Sequence, residues 1–300
     1  MQDTFFQPGD DCEDAYRNLR DLDDNAHRRE FVEALWARFR PSPDNHFLTE
    51  AKTSFLQRFW EMYLYAALED QGLQPQKGAG AGPDLLIVVG GVRYWIEAVA
   101  PKRGEGADRV PEMDWGSKEA RRAPHDQIQL RYANAMSEKA GKWPRWVQEG
   151  RVQAGDGYLI ALNGRGCNDF FDGTPPLFVR ACVGIGHPAM ALDPITGKIV
   201  DAYYTYSDSI TKKSGKPVST APFFQSEYSH VSGVIHSFAD CWHRPASLLE
   251  GMEFLHNPQA DFPLPGSTLS GLRQFRVSDQ GLTTIPPDPA WPESDDIIIE

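Results

Sequence analysis

The order of elements predicts an α/β fold with a mixed central sheet flanked by helices. Three features carry that expectation: an apolar helical stretch over 48–71, a strand pair over 85–99 joined by Gly90-Gly91, and further strand-like runs beyond a second helix. In the first helix Phe55, Phe59, Trp60, Met62, Tyr63 and Leu64 leave almost no polar face, so it must be buried on most sides. Gly72 ends it, and Gly78-Ala-Gly-Ala-Gly-Pro83 reads as a flexible lead into the next element.

Residues 85–89 form a short continuous apolar run, as in a strand buried on both faces, and 92–99 are β-branched and aromatic. The two glycines between them are a hairpin signal. After a polar loop over 101–123, Pro124 opens a helix through Gln127, Leu130, Tyr132 and Met136 that stops at Gly141. Farther on, strands are expected over 157–162, 177–183 and 230–237, with a hairpin around Asp193-Pro-Ile-Thr-Gly197. Three parts follow: an acidic N-terminal helical extension over 1–45, a main domain over 46–257, and an irregular Pro-rich acidic tail over 258–300.

The chain has 300 residues, 41% of them hydrophobic, enough for a sizeable core. No run of eighteen apolar residues occurs, and the start lacks the basic and apolar regions of a signal peptide, so the expectation is a cytoplasmic protein without a membrane partner. Cys12, Cys167, Cys182 and Cys241 lie far apart with no CxxC pair, which excludes a zinc knuckle and a disulfide framework. The net charge of −12 argues against a surface that is basic throughout, yet it sits at the ends: residues 1–30 carry −5 and 288–300 another −5. The acidic ends read either as shields against nonspecific binding or as contacts for a basic protein partner. Within 100–151, by contrast, bases exceed acids by three.

The chemistry lies in the strand pair. A tight Gly90-Gly91 turn sets Val89 opposite Val92, and stepping outward sets Asp84 opposite Glu97. Facing Cβ atoms are roughly 4.5–5.5 Å apart, so two carboxylates there repel unless a cation or proton intervenes. Oxygen ligands of this kind suit Mg²⁺ (or Mn²⁺), which takes one or two protein carboxylates and keeps several waters. Such an ion fits metal-assisted phosphodiester hydrolysis. Glu61, inside the buried helix, is a third acid that needs either a metal or a cationic partner.

The other motifs are ordinary. The glycine-rich 78–82 stretch precedes a strand and lacks the Lys-Ser/Thr of a phosphate loop. His230, His236 and His243 are not at metal-binding spacing, and neither a Gly-x-Ser-x-Gly motif nor a paired Cys and His points to a covalent hydrolase. Thr211-Lys-Lys-Ser-Gly-Lys-Pro217 reads as a basic turn between strands.

Taken together, Glu61, Pro83-Asp84 and Glu97 resemble the PD-(D/E)XK nuclease superfamily: a helix bearing Glu, a strand opening with Pro-Asp, then a strand bearing Asp/Glu-x-Lys and a helix packed on the sheet. The likeness covers about residues 50–165. Glu97-Ala-Val-Ala-Pro101 and His256-Asn-Pro258 further resemble an uncharacterised bacterial branch, which contributes no activity. The resemblance implies a restriction-endonuclease-like core and a Mg²⁺-dependent nuclease acting on DNA or RNA, with Asp84 and Glu97 on the metal and Glu61 in support. The superfamily's lysine, taken to position or activate the attacking water, is replaced by Val99. Lys102, or Gln127 and Arg131 at i, i+4 spacing on the next helix, are the substitutes the sequence offers. The alternative is a degenerate fold that serves as a binding or assembly module, which Val99 and the overall acidity favour.

Overall fold

A computed structural model describes residues 4–42, 44–78, 80–112, 122–169, 175–279 and 281–288. The chain begins with α1 (Asp14–Asp21), α2 (Ala26–Phe39) and α3 (Phe47–Ala51), then the long α4 (Phe55–Asp70). Strands β1 (Gln76–Lys77), β2 (Leu85–Val89) and β3 (Val92–Val99) follow, then α5 (His125–Ala140), α6 (Trp143–Gln148), β4 (Gly157–Asn163) and α7 (Leu177–Val183). Next come two hairpins, β5 (Ile185–Leu192) with β6 (Ile199–Tyr206), and β7 (Ser209–Thr211) with β8 (Pro217–Ser219). The chain then forms β9 (Val231–Ser237), β10 (Glu253–His256), β11 (Arg273–Ser278) and β12 (Gly281–Ile285).

Eight strands form one mixed sheet in the order β1-β2-β3-β4-β9-β10-β11-β12. The β2–β3 pair is antiparallel, whereas β3, β4 and β9 run parallel, linked by crossovers that carry α5 and then α7 with the two hairpins. Central β4 and β9 are buried along their whole length, as expected for strands covered on both faces. Alternation sorts β3 between two cores: Tyr94, Ile96 and Ala98 face α4 with Phe59, Trp60 and Leu64, while Trp95 and Val99 face α5 and α7 with Ile128, Tyr132 and Phe178. Trp60 ties α4 to the sheet by donating its indole N–H to the Ala161 carbonyl at 3.0 Å.

A buried polar chain crosses the second core. The Tyr132 hydroxyl donates to Asp169 Oδ2 at 2.7 Å and lies 3.2 Å from His236 Nε2, and His236 Nδ1 is 3.2 Å from Glu253 Oε2. Phe178 stacks on the His236 ring at 4.3 Å. Each polar member thereby meets the requirement that buried polar groups be hydrogen-bonded.

Three sequence expectations change. Residues 177–183 form helix α7 instead of a strand: a seven-residue run with Arg180 as its single polar residue is too short to reveal its period, and here Pro176 precedes the helix while Gly184, at φ +69°, ends it. The N-terminal part, read over 1–45 as an appended extension, packs into the α4 core through its described residues. Phe5 meets Trp36 and Phe55 at ring distances of 6.1 and 6.2 Å, and the Glu13 carboxylate accepts the Phe55 N–H at the start of α4. The stretch after 257, read as irregular, contains β11 and β12, which complete the sheet; the acidic 289–300 end lies outside the described residues. Cys12, Cys167, Cys182 and Cys241 are all free thiols. Among the described residues no helix is long and apolar enough to cross a membrane.

Candidate functional site

The β2–β3 turn has both glycines at positive φ, Gly90 at +58° and Gly91 at +84°, as a two-residue hairpin of this type requires. The ladder runs from Val89 opposite Val92 to Leu85 opposite Ile96, and Asp84 and Glu97 are the residues just beyond that last pair. There the Asp84 Oδ2 accepts the Ala98 N–H at 2.7 Å. By alternation Glu97 shares the α5 side with Trp95 and Val99, and it is buried.

Two cations meet Glu97 there. Lys139 and Lys142, around the end of α5, place Nζ 3.0 and 2.9 Å from Glu97 Oε1. The path of α5 explains their reach. Its N-terminal half lies by the loop after β3, where Arg131 donates to the Lys102 carbonyl at 2.8 Å, and its last turn returns alongside β3 and β4, where the Tyr158 hydroxyl donates to the Lys139 carbonyl. Burial works to lower the Lys139 pKa, yet Glu97 and Asp84 hold it above the usual lysine range.

Glu61 is held differently. Its two oxygens accept from Arg58 at 3.0 and 2.9 Å and from Gln57 at 2.9 Å. Arg58 also reaches Asp44 and Glu50. Gln57 in turn bridges α4 to the end of β3, donating to the Ala98 carbonyl and accepting the Ala100 N–H. Burial raises the Glu61 pKa, Arg58 opposes that, and the Glu97 charge adds to it.

Asp84 carries the unresolved charge. Burial pushes its carboxyl well above the ordinary range, and the charges of Glu61 and Glu97 push it further, against the Ala98 N–H and the more distant Lys139. Asp84 and Glu61 line a cavity of about 60 Å³ with Arg58, Lys77 and the glycine-rich 78–83 loop. Trp146 pins that loop by donating its indole N–H to the Ala81 carbonyl at 2.9 Å.

The structure thus sets Asp84 close enough to both Glu61 and Glu97 for the two charges to raise its pKa, and bonds it to the N–H of Ala98, next to Glu97. It does not bring Lys102, Gln127 or Arg131 to Asp84 or Glu97: among the described residues none is bonded to either carboxylate, and Lys102 is exposed. Nor do the three acids form a ligand triad. Among the described residues no group of three or more His, Cys, Asp or Glu could hold a metal ion, and Glu61 is paired with Arg58.

Gln57, Arg58, Lys139 and Lys142 were not anticipated. A signal for the lysines exists in the sequence. Ile128, Tyr132 and Ala135 form a buried stripe at i, i+4, i+7, and Lys139 and Lys142 continue it, so a charge on that stripe needs a buried partner.

Asp84 and Glu97 fit a divalent ion by their chemistry. Among the described residues no hydrogen bond is made to Asp84 Oδ1 or Glu97 Oε2, and two carboxylates are the protein share of a typical Mg²⁺ shell. Comparison with protein-family models, curated proteins and solved structures gives no match.

Proposed function

We propose that the chain is a Mg²⁺-dependent nuclease with a restriction-endonuclease-like core, cleaving phosphodiester bonds of DNA or RNA. The observation that carries this reading is that Lys139 of α5 pairs with Glu97 while Asp84 accepts the N–H of the next residue, Ala98, so that α5 supplies a lysine beside the two carboxylates in place of the one missing at Val99. The order of α4, the β2–β3 hairpin, the α5 crossover and parallel β4 agrees with that core.

In this reading Asp84 and Glu97 hold the ion, which when bound would activate water and offset charge on the phosphate. Lys139, kept charged by its two carboxylate neighbours, donates N–H groups to the attacking water or to a phosphate oxygen. Lys142 shares Glu97 and keeps that carboxylate from repelling Asp84 unopposed. Glu61 and Arg58 set the local charge and fix the α4 end of the site through Gln57.

One observation favours a second reading, a binding or assembly module without chemistry: Glu97 Oε1 is already neutralised by two ammonium groups. Incubating the purified chain with single- and double-stranded DNA and RNA in Mg²⁺ separates the two. The nuclease reading requires cleavage that Asp84→Ala abolishes while its circular dichroism stays unchanged. Cleavage persisting at the wild-type level in Asp84→Ala would refute it.

A further inference from the structure

Among the described residues, eight of the eleven large apolar side chains that are exposed belong to one two-stranded ribbon, β5–β6. Every residue of β6 is exposed, and Ile195 at the ribbon tip is 92% exposed. A ribbon of this kind has little stability of its own in water, and contiguous exposed apolar surface of this extent marks an interaction site.

The two edges of the ribbon differ. Strand β5 contains Pro188, and its His187 stacks near His125 and meets Arg180 of α7 at 3.1 Å, so that edge is guarded. Strand β6 reads Ile-Val-Asp-Ala-Tyr-Tyr-Thr-Tyr, with no proline, no lysine and one charge. Asp201 and a bulge that leaves Val200 unpaired guard its first half, and residues 202–206 carry none of the devices by which edge strands avoid pairing.

The outward face of that edge can be assigned. Tyr204 lies opposite Pro188, which has no N–H to give, and the Ala202 N–H is taken by the side chain of Asp201 at 2.8 Å instead of by β5. The even-numbered residues 202 and 204 thus point their backbone groups away from the ribbon.

We infer that β6 pairs antiparallel with β6 of a second copy of this chain about a twofold axis near Ala202 and Tyr203, joining the two ribbons into one four-stranded sheet. A strand is its own partner in such an isologous contact. With the axis at Tyr203, Val200 meets Tyr206 of the partner subunit and Asp201 meets Thr205 of the partner subunit. With the axis at Ala202, Val200 meets Tyr204 of the partner subunit instead. Neither register opposes two charges. Aromatic side chains offer roughly 150–250 Å² each, so the half-exposed Tyr203, Tyr204 and Tyr206 alone bring on the order of 300 Å² per partner, to which Ile199, Val200 and the paired backbone edge add. The inference is independent of the proposed nuclease activity.

Light scattering of the eluting full-length chain is the first test. The wild type should weigh twice 33.6 kDa, and Ala202→Pro, which removes an outward N–H that β5 does not use, should weigh 33.6 kDa. A monomeric wild type at 100 µM, or an Ala202→Pro chain that remains dimeric, would overturn the inference. Because Ala202→Pro could also disturb the ribbon, oxidative cross-linking provides a second reading. Facing Cα atoms about the axis would lie roughly 4.5–5.5 Å apart, within disulfide reach. Ala202→Cys or Tyr203→Cys should give a disulfide-linked dimer, whereas Ile195→Cys, far from the axis, should not. Cross-linking by neither of the first two, or equally by all three, would overturn it.

Discussion

Lys139 Nζ lies 3.0 Å from Glu97 Oε1, joining the last turn of α5 to the middle of the sheet's third strand. Lys142 shares the same oxygen at 2.9 Å, so both ammonium groups meet one oxygen of the strand carboxylate. If this lysine replaces the one absent at Val99, Lys139→Met should lower Mg²⁺-dependent cleavage by about 10²–10⁴-fold, the usual loss on removing a positioned proton donor or acceptor. Lys142→Met should cost less. Single-turnover cleavage rates check both, and a smaller effect from Lys139 than from Lys142 would reverse the assignment.

Asp84 makes a pH-dependent stability prediction. A carboxyl whose folded pKa is raised favours the protonated form, so the stability it contributes is present below its unfolded pKa and is lost as pH rises through the folded value. Without metal, Asp84→Asn should therefore melt higher than wild type at pH 8, by about 2–4 °C, and the gap should narrow toward pH 4. Melting curves across that range decide it; a gap that widens on acidification contradicts the raised pKa.

Glu61 and Arg58 form a buried pair, and breaking one side leaves the other charge uncompensated. Arg58→Ala should destabilise the fold by about 3–5 kcal/mol. Glu61→Gln, which keeps shape and neutralises the charge, should cost less and leave divalent-ion affinity within about threefold. Chemical denaturation and calorimetry measure the two effects, and loss of metal binding in Glu61→Gln would make that residue a ligand after all.

Tyr132 shares its hydroxyl between Asp169 and His236 in the second core. Tyr132→Phe should destabilise by about 1–3 kcal/mol, the cost of removing one partner from buried polar groups. The same variant should leave cleavage unchanged, since among the described residues no hydrogen bond links Tyr132 or His236 to Asp84 or Glu97.

The hairpin register was legible because a Gly-Gly turn fixes which residues face each other, and alternation then fixes the side of the sheet. That reasoning reaches Asp84 and Glu97 but stops at the strand. Lys139 and Lys142 reach Glu97 only because α5 crosses back over the sheet, a long-range path that motif spacing cannot supply, so attention fell on Arg131, which is spent on the Lys102 carbonyl. Glu61 was legible as a buried charge, but the choice of Arg58 over a metal depended on the i, i+3 geometry of α4. Helix α7 reads as a strand because its seven residues are all apolar but Arg180 and too few to show a period, and β11 and β12 read as irregular because their half-exposed residues alternate weakly.

The claim that most depends on the site is that Asp84 and Glu97 jointly hold a divalent ion, and calorimetric titration with Mn²⁺ tests it directly. One ion per chain should bind to the wild type, and neither Asp84→Asn nor Glu97→Gln should bind it. A wild type that takes up no Mn²⁺ at millimolar concentration, or variants that bind as it does, would contradict the metal centre.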